Sequence, residues 1–279
     1  MIKYINSKGQ EAVLSQFPIR IKEGNFHSYE WKYSGISKRY GIKIERFEKD
    51  PVQIELELAV NGTTGEKAER AMNLTDIMEY DVINLKPGTL WKDGWSLKCY
   101  VLSSETTPSD YWYLCKKIKL LAPYPFWIRE QMISIQPLSD SSKDASAKGY
   151  PYSYTYGYAA GQTATRMAID HYAESDFKMI VYGPTTEVNV TINGHPYIVH
   201  YKIESGEYLT IDSRDTQPAD RRIFLTKNNG EKVNVFNYRD STNSAFQKIS
   251  SGDVTIDYSR LYGVDLTLFI ERGEPKWET

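Results

Sequence analysis

Cysteine and histidine are both scarce in this chain of 279 residues. Two cysteines, Cys99 and Cys115, cannot build a disulfide framework. The four histidines are scattered and lack the spacing of metal ligands: His27, His171, His195 and His200. These scarcities argue against a disulfide-stapled scaffold and against a histidine-based metal site.

Long apolar runs and a dominant charge sign are also missing. Lys and Arg number 34 against 36 Asp and Glu, which gives a net charge of −2 and a pI of about 6.2. A nearly neutral chain has no general attraction to nucleic acid or to anionic lipid. No apolar run approaches the roughly 20 residues of a membrane helix, and Met1 to Tyr4 do not begin an apolar secretory signal. We therefore expect no specific nucleic-acid partner, no membrane partner, and synthesis in a reducing cytosol.

Motifs of catalysis are missing as well: there is no nucleophile elbow, phosphate loop, zinc-binding helix motif or dinucleotide fingerprint. Glu55 and Glu57 share one face of a predicted strand, about 7 Å apart, which is compatible with a glycosidase carboxylate pair. The strict alternation around them favours the solvated face of an amphipathic strand. We predict no catalytic residue, no cofactor and no metal.

Other polar groupings have structural interpretations. His195 and His200 are five residues apart across a strand, so they face opposite sides and cannot share a metal directly. Asp170 and His171 form a dyad with no nucleophile motif nearby. A third group lacks the regularly spaced oxygen ligands of a calcium loop and is interpreted as turn residues and rim ion pairs: Asp212, Arg214 and Asp215.

Sulfur and aromatic residues give further predictions. Cys99 and Cys115 fall in two neighbouring predicted strands. We favour reduced, buried thiols; a disulfide bond between the two is possible only if they face each other. Tyr150 to Tyr158 alternates tyrosine with small residues and indicates an interface. Four tryptophans fit core packing better than a sugar-stacking platform: Trp91, Trp95, Trp112 and Trp127.

Residues 1–133 predict a β-sandwich domain with one helix. From Val52 to Val60, apolar residues alternate with polar ones, which is typical of a strand with one buried face. Thr63 and Glu66 have the spacing of a capping box. Ala68, Ala71, Met72, Thr75 and Met78 follow at helical spacing and predict a helix over about 65–80.

Residues 161–279 predict a second, antiparallel β-sandwich. Short runs of period 2 follow one another, and Asn193-Gly194 and Asn229-Gly230 are strong hairpin signals because both turn positions favour φ > 0. Residues 134–160 are polar and then tyrosine-rich, and we expect them to connect the two domains.

Phrases in the second half resemble a known family in their order and spacing: FKMIVYGP at 177–184, INGHPY at 192–197, GEYLTIDSR at 206–214, VNVFNYRD at 233–240, FQKISSG at 246–252 and ERGEPKW at 271–277. Together they are similar to the C-terminal half of the distal tail protein (Dit) family of long-tailed bacteriophages, also called siphovirus tail components. The resemblance extends more weakly to the first half, through APYPFW at 122–127.

The resemblance implies a fold and a role. The first domain would be a tail-tube-like domain that forms a hexameric ring, and the second a galectin-like or carbohydrate-module-like β-sandwich. The ring would join the major tail protein to the tail-associated hub protein, would pass the tape measure protein through its lumen, and would hold receptor-binding or other baseplate proteins. We expect the protein at the tail tip of a virion after synthesis in the bacterial cytoplasm.

Two alternatives belong to other classes. The second sandwich could be a carbohydrate-binding adsorption module, for which the sequence assigns no binding residues; such a site needs an exposed aromatic ring with polar partners on a concave face. A wall hydrolase of the hub would need an acid/base pair in a cleft; apart from Glu55 and Glu57, interpreted above as a solvated strand face, no pair with credible spacing stands out.

Overall fold

The computed structural model describes residues 1–108, 113–137, 165–215 and 222–277. It divides into two compact units, Met1–Arg129 with Glu271–Thr279 and Glu130–Ile270. Both units are built from antiparallel strands, and the described residues contain one α-helix. The predicted fold class, mainly β with sandwich-like sheets and a single helix, is confirmed.

The first unit contains eleven strands and the helix: β1 (Ile2–Ile5), β2 (Glu11–Val13), β3 (Ser15–Gln16), β4 (Ile19–Gly24), β5 (Lys32–Ser37), β6 (Ile42–Glu48), β7 (Val52–Asn61), α1 (Thr64–Ile83), β8 (Gly88–Lys92), β9 (Trp95–Pro108), β10 (Tyr113–Ala122) and the start of β11 (Trp127–Ile135).

Strand β9 is long enough to serve two sets of strands. Its first residues pair with β8, which pairs with β1 and through it with β2. Its later residues pair with β10, which continues to β7, β4 and β3. The alternation predicted for 52–60 is confirmed, because Ile54, Leu56, Leu58 and Val60 are all buried. Each such side chain contributes roughly 1.5–3 kcal/mol of burial free energy.

Helix α1 begins one residue before the predicted start and ends three residues after the predicted end. The capping box is confirmed: the backbone N–H of Thr63 donates to Glu66 Oε2 at 2.8 Å. Of the residues at helical spacing, Ala71 and Met78 are buried, whereas Ala68 and Met72 are exposed. The buried stripe has spacings of four and three residues and consists of Lys67, Ala71, Leu74, Met78 and Asp81. Because the stripe begins with Lys67 and ends with Asp81, a search for apolar residues at helical spacing does not find its full length.

The second unit contains the rest of β11 and nine further strands: β12 (Thr165–Ile169), β13 (Asp176–Tyr182), β14 (Val188–Ile192), β15 (His195–Val199), β16 (Tyr208–Asp212), β17 (Ile223–Thr226), β18 (Lys232–Asn234), β19 (Gly252–Asp257) and β20 (Val264–Arg272).

These strands form two sheets, in the orders β18-β17-β16-β13-β20 and β12-β19-β14-β15. Buried side chains from both sheets meet, as in the edge-to-face pair of Phe177 and Tyr197, whose ring centroids are 5.1 Å apart. Both predicted hairpin turns are present: Asn193 and Gly194 have φ of 48° and 80°, and Gly230 has φ of 82°. The second unit is therefore an antiparallel sandwich, as predicted.

The unit boundaries differ from the predicted domains. The chain passes between units after Arg129 rather than after residue 133, and residues 271–279, predicted for the second domain, belong to the first unit. Contacts of residues 271–277 within the first unit explain why this segment belongs there: the Tyr124 hydroxyl donates a hydrogen bond to Glu271, and the ring of Trp277 stacks on His27. Most of the predicted connecting segment 134–160 lies outside the described residues, as does the tyrosine run 150–158.

Candidate functional site

The most unusual surface of the first unit is the hairpin formed by β5 and β6. Within the described residues the two strands pair only with each other, with a register shift at Gly35, and every residue of both strands is exposed. Their exposed apolar side chains would suit a core: Tyr33, Ile36, Ile42, Ile44 and Phe47. A two-stranded hairpin is marginally stable alone, and a contiguous exposed apolar patch marks an interaction surface. We call residues 32–48 the docking hairpin.

The base of the docking hairpin is held by a lysine among aromatic rings. Lys49 Nζ donates to the carbonyl oxygen of Pro125 at 2.8 Å. It lies 4.5 Å from the ring centroid of Phe126, 5.4 Å from that of Tyr29 and 5.6 Å from that of Trp31. Desolvation lowers the pKa of Lys49, against a weaker raising effect of Glu274. We call Tyr29, Trp31 and Phe126 the aromatic cage.

The last described residues pack beside this cage. Tyr124 donates to both carboxylate oxygens of Glu271 at 2.8 Å, and the ring of Trp277 stacks on His27 at 3.7 Å. A Cβ atom at Gly273 would lie 2.9 Å from Lys49 Nζ and 3.2 Å from the ring of Tyr29, so the cage closes tightly on the glycine. Burial lowers the pKa of His27, with Lys92 acting in the same direction.

Glu55 and Glu57 lie on the solvent side of β7, as predicted. Glu55 pairs with Lys119 at 2.8 Å, and Glu57 pairs with Lys22 at 2.8 Å. The hydrogen bond from each lysine lowers the pKa of the carboxyl group that it contacts. A general acid needs a raised pKa, so this pair is arranged as cross-strand ion pairs. Both residues line an open, charged groove of about 650 Å³.

The histidine candidates are kept apart. His195 Nε2 lies 2.8 Å from the carbonyl oxygen of Ser244, and His200 Nδ1 lies 3.3 Å from Glu187 Oε2. His171, beside Asp170, packs its ring against Tyr172. Within residues 1–108, 113–137, 165–215 and 222–277, no cluster of three or more His, Cys, Asp or Glu side chains could hold a metal ion.

The ion pairs predicted for the group of Asp212, Arg214 and Asp215 are confirmed. Arg214 makes a two-pronged contact with Asp212, at 3.0 Å through Nε and 2.7 Å through the terminal nitrogen. This contact raises the pKa of Arg214. Asp215 is almost fully exposed and lies 3.9 Å from Arg222.

The thiols and two of the tryptophans behave as predicted. Cys99 and Cys115 are free and buried. They do not face each other, because Cys115 pairs with Thr107 and Cys99 pairs with Gly88. Burial raises the pKa of Cys99 to about 12. Trp95 and Trp127 are core residues and Trp91 is half-buried, whereas Trp112 lies outside the described residues.

A groove of about 510 Å³ in the second unit bears on the carbohydrate alternative. Its two tyrosines are buried, and both hydroxyls donate to backbone carbonyls: Tyr262 to Asn189 at 3.0 Å and Tyr258 to Tyr262 at 3.2 Å. Their rings are therefore not available for stacking on a sugar.

In the described part of the chain, no helix combines the length and apolar composition of a membrane span.

Sequence reasoning missed the docking hairpin. Its strands do carry a signal, because Ile42, Ile44 and Phe47 are interleaved with charged residues and Tyr40-Gly41 supplies a turn. Alternation predicts a strand with a buried face, and only the three-dimensional structure shows that both faces of this hairpin are left uncovered by the part of the chain it describes.

Comparison by sequence finds nothing: no family model matches the chain, and no curated protein does. Comparison by structure does find similar folds. The Dit protein of phage SPP1, described as a paradigm of the hub adsorption apparatus in phages that infect Gram-positive bacteria, aligns with a TM-score of 0.63 and 10% identity. The alignment covers 98% of this chain and 99% of that one.

Two chains of the phage P2 baseplate in its activated conformation, one determined with Ca and one with Sr, align with TM-scores of 0.61 and 0.60. Both are 14% identical, with coverage of 99% of this chain and 100% of theirs. At identities this low, the structural alignments show a shared fold. The resemblance predicted from the ordered phrases is thus confirmed at the level of the fold, and the chain has the fold of phage Dit.

Proposed function

We propose that this chain is a structural protein of a phage tail tip, which forms a homohexameric ring between the tail tube and the hub. The first unit forms the ring. The second unit, a galectin-like sandwich, anchors receptor-binding or other baseplate proteins. The major tail protein, the tail-associated hub protein and the tape measure protein are its further partners. The full-length likeness to the Dit fold supports this proposal.

The docking hairpin is the observation that carries the proposal. Apolar side chains on both of its strands are exposed, although burial of each would contribute roughly 1.5–3 kcal/mol. An uncovered hairpin of this kind also invites uncontrolled strand pairing. Contact with a neighbouring copy in a closed ring covers it in every subunit at once.

Light scattering coupled to size exclusion tests the proposal, on the protein alone and with its hub partner. We expect a hexamer for the natural chain. Ile44→Ser with Phe47→Ser, which removes two exposed apolar side chains, shifts the protein to monomer without altering its circular dichroism. Met72→Ser, an equally exposed apolar residue on α1, is the matched control and stays hexameric. A natural chain that stays monomeric with its partners contradicts the proposal.

The carbohydrate-binding alternative has less support. The tyrosine rings of the groove between Thr185 and Leu261 are buried, and both hydroxyls are engaged with backbone. Isothermal titration with host wall polysaccharide tests it directly, and we expect no heat of binding.

A further inference from the structure

The docking hairpin has few anchors in the first unit, and they are concentrated at its base. Among residues 1–108, 113–137, 165–215 and 222–277, its strands pair only with each other, so no larger sheet of these residues fixes its direction. An ion pair between Lys32 and Asp50 links its two ends, but both side chains are more than half exposed and such pairs contribute little. The contacts of Lys49 are different, since this cation is half-buried and reaches both the chain that enters the hairpin and a separate loop.

We propose that Lys49 is the positioning residue of the docking hairpin: its caged ammonium ties both ends of the hairpin to the loop at 123–126. The proposal rests on the docking role given above and names the group that makes it possible. Tyr29 and Trp31 lead into β5, and Lys49 follows β6, so one cation contacts both ends. Pro125 and Phe126 belong to the loop between β10 and β11 and supply the fixed side of the contact.

The chemistry of the contact requires a cation. The hydrogen bond to Pro125 uses one N–H of the ammonium, and the faces of the aromatic rings attract its positive charge. A neutral side chain of the same length would fill the space but would lose both interactions. Gly273 lies so close to Lys49 and Tyr29 that this side of the cage has no room for a larger residue.

The contacts of Lys49 therefore fix the direction in which the docking hairpin projects from the first unit. A free hairpin must lose conformational entropy when it docks, whereas an anchored one has already lost it. Loss of the cation therefore frees the base of the hairpin and weakens association, even though no residue of the docking surface has changed.

Hydrogen exchange with mass spectrometry tests the anchor in the Ile44→Ser, Phe47→Ser background, where the hairpin is uncovered in every molecule. In this background Lys49→Met should raise exchange in peptides spanning 29–50 by about tenfold. Lys49→Arg, which keeps a cation that packs on aromatic faces, should stay within about twofold of the parent. Lys43→Met is the matched control, since Lys43 lies in β6 away from the cage.

The outcomes separate the anchor from the docking role. Exchange in Lys49→Met equal to that in Lys43→Met overturns the proposal, provided that peptides of β7 and β10 confirm a folded unit. Phe126→Leu, which removes one wall of the cage, gives a second reading if Lys49→Met does not fold. Faster hairpin exchange with normal hexamers from otherwise natural Lys49→Met protein supports the anchor and contradicts docking through the hairpin.

Discussion

The hydroxyl of Tyr4 donates a 2.6 Å hydrogen bond to the carboxylate of Asp81, and both residues are fully buried. The other carboxylate oxygen accepts from the backbone N–H of Ser7 at 2.7 Å. This pair ties the first strand to the last turn of α1. Gly88 lies against it so closely that a Cβ atom there would be 2.2 Å from the Tyr4 oxygen and 2.3 Å from Asp81 Oδ2. This buried polar contact therefore joins β1, the last turn of α1 and the start of β8 in the core of the first unit.

Tyr4→Phe should destabilise the first unit. The substitution leaves a buried carboxylate with one donor fewer, which costs about 1–3 kcal/mol. Chemical denaturation measures the change, and Tyr40→Phe, at the exposed tip of the docking hairpin, is the control that leaves stability unchanged. A Tyr4→Phe protein as stable as the natural chain would show that Asp81 finds another partner.

Alkaline pH should weaken both units. Burial raises the pKa of Tyr4 and Tyr197 above the ordinary value near 10, and it raises the pKa of Tyr258 to about 12. The folded state therefore holds these phenol protons more tightly than the unfolded state does. Their contribution is complete below pH 10 and is lost as the pH rises through the folded-state pKa values.

We expect the free energy of unfolding to fall steadily above pH 10. In Tyr4→Phe the fall should be shallower, because one of the titrating groups has been removed. Urea denaturation at intervals between pH 9 and 12 measures both slopes. Identical slopes would mean that Tyr4 ionises as readily in the folded protein as in the unfolded one.

Val190→Asp should unfold the second unit and leave the first intact. Val190 lies in the core between the two sheets, and an unpaired buried charge costs about 3–5 kcal/mol. Asn189→Asp adds the same charge one residue earlier on the solvent side of β14 and should be tolerated. Calorimetry reports both melting transitions, and a normal profile for Val190→Asp would contradict the burial of this face.

Hydrolysis of cell walls should not be detectable. Glu55 and Glu57 are held ionised by lysines, so neither supplies the protonated acid that glycoside cleavage needs. Zymography on host walls is the measurement. A clearing zone that disappears in Glu55→Gln or Glu57→Gln protein would show that the charged groove is an active site.

Much of the fold could be read from local patterns. The strand at 52–60, the capping box at Thr63 and the turn at Asn193-Gly194 were predictable because alternation, spacing and φ > 0 preferences are local properties. The burial of Lys116 was not predictable: its ammonium donates to the hydroxyl of Thr106, opposite it in β9, and to that of Thr75 in α1, 41 residues away in the chain.

The candidate site was harder to predict for the same reason. Apolar alternation in the docking hairpin resembles that of a core strand, and only its lack of covering partners distinguishes it. Lys49 gave no signal at all, because its cage combines Tyr29 and Trp31 with Phe126, which lies 77 positions after Lys49 in the sequence. Local patterns thus predict elements well and predict poorly which elements remain exposed.

Electron microscopy of the purified protein, with its hub partner added if the protein alone stays small, tests the central claim most directly. We predict six-fold rings with a central hole, which disappear in the Ile44→Ser, Phe47→Ser variant and persist in Met72→Ser. Monodisperse particles the size of a single chain, with and without the partner, would contradict the account.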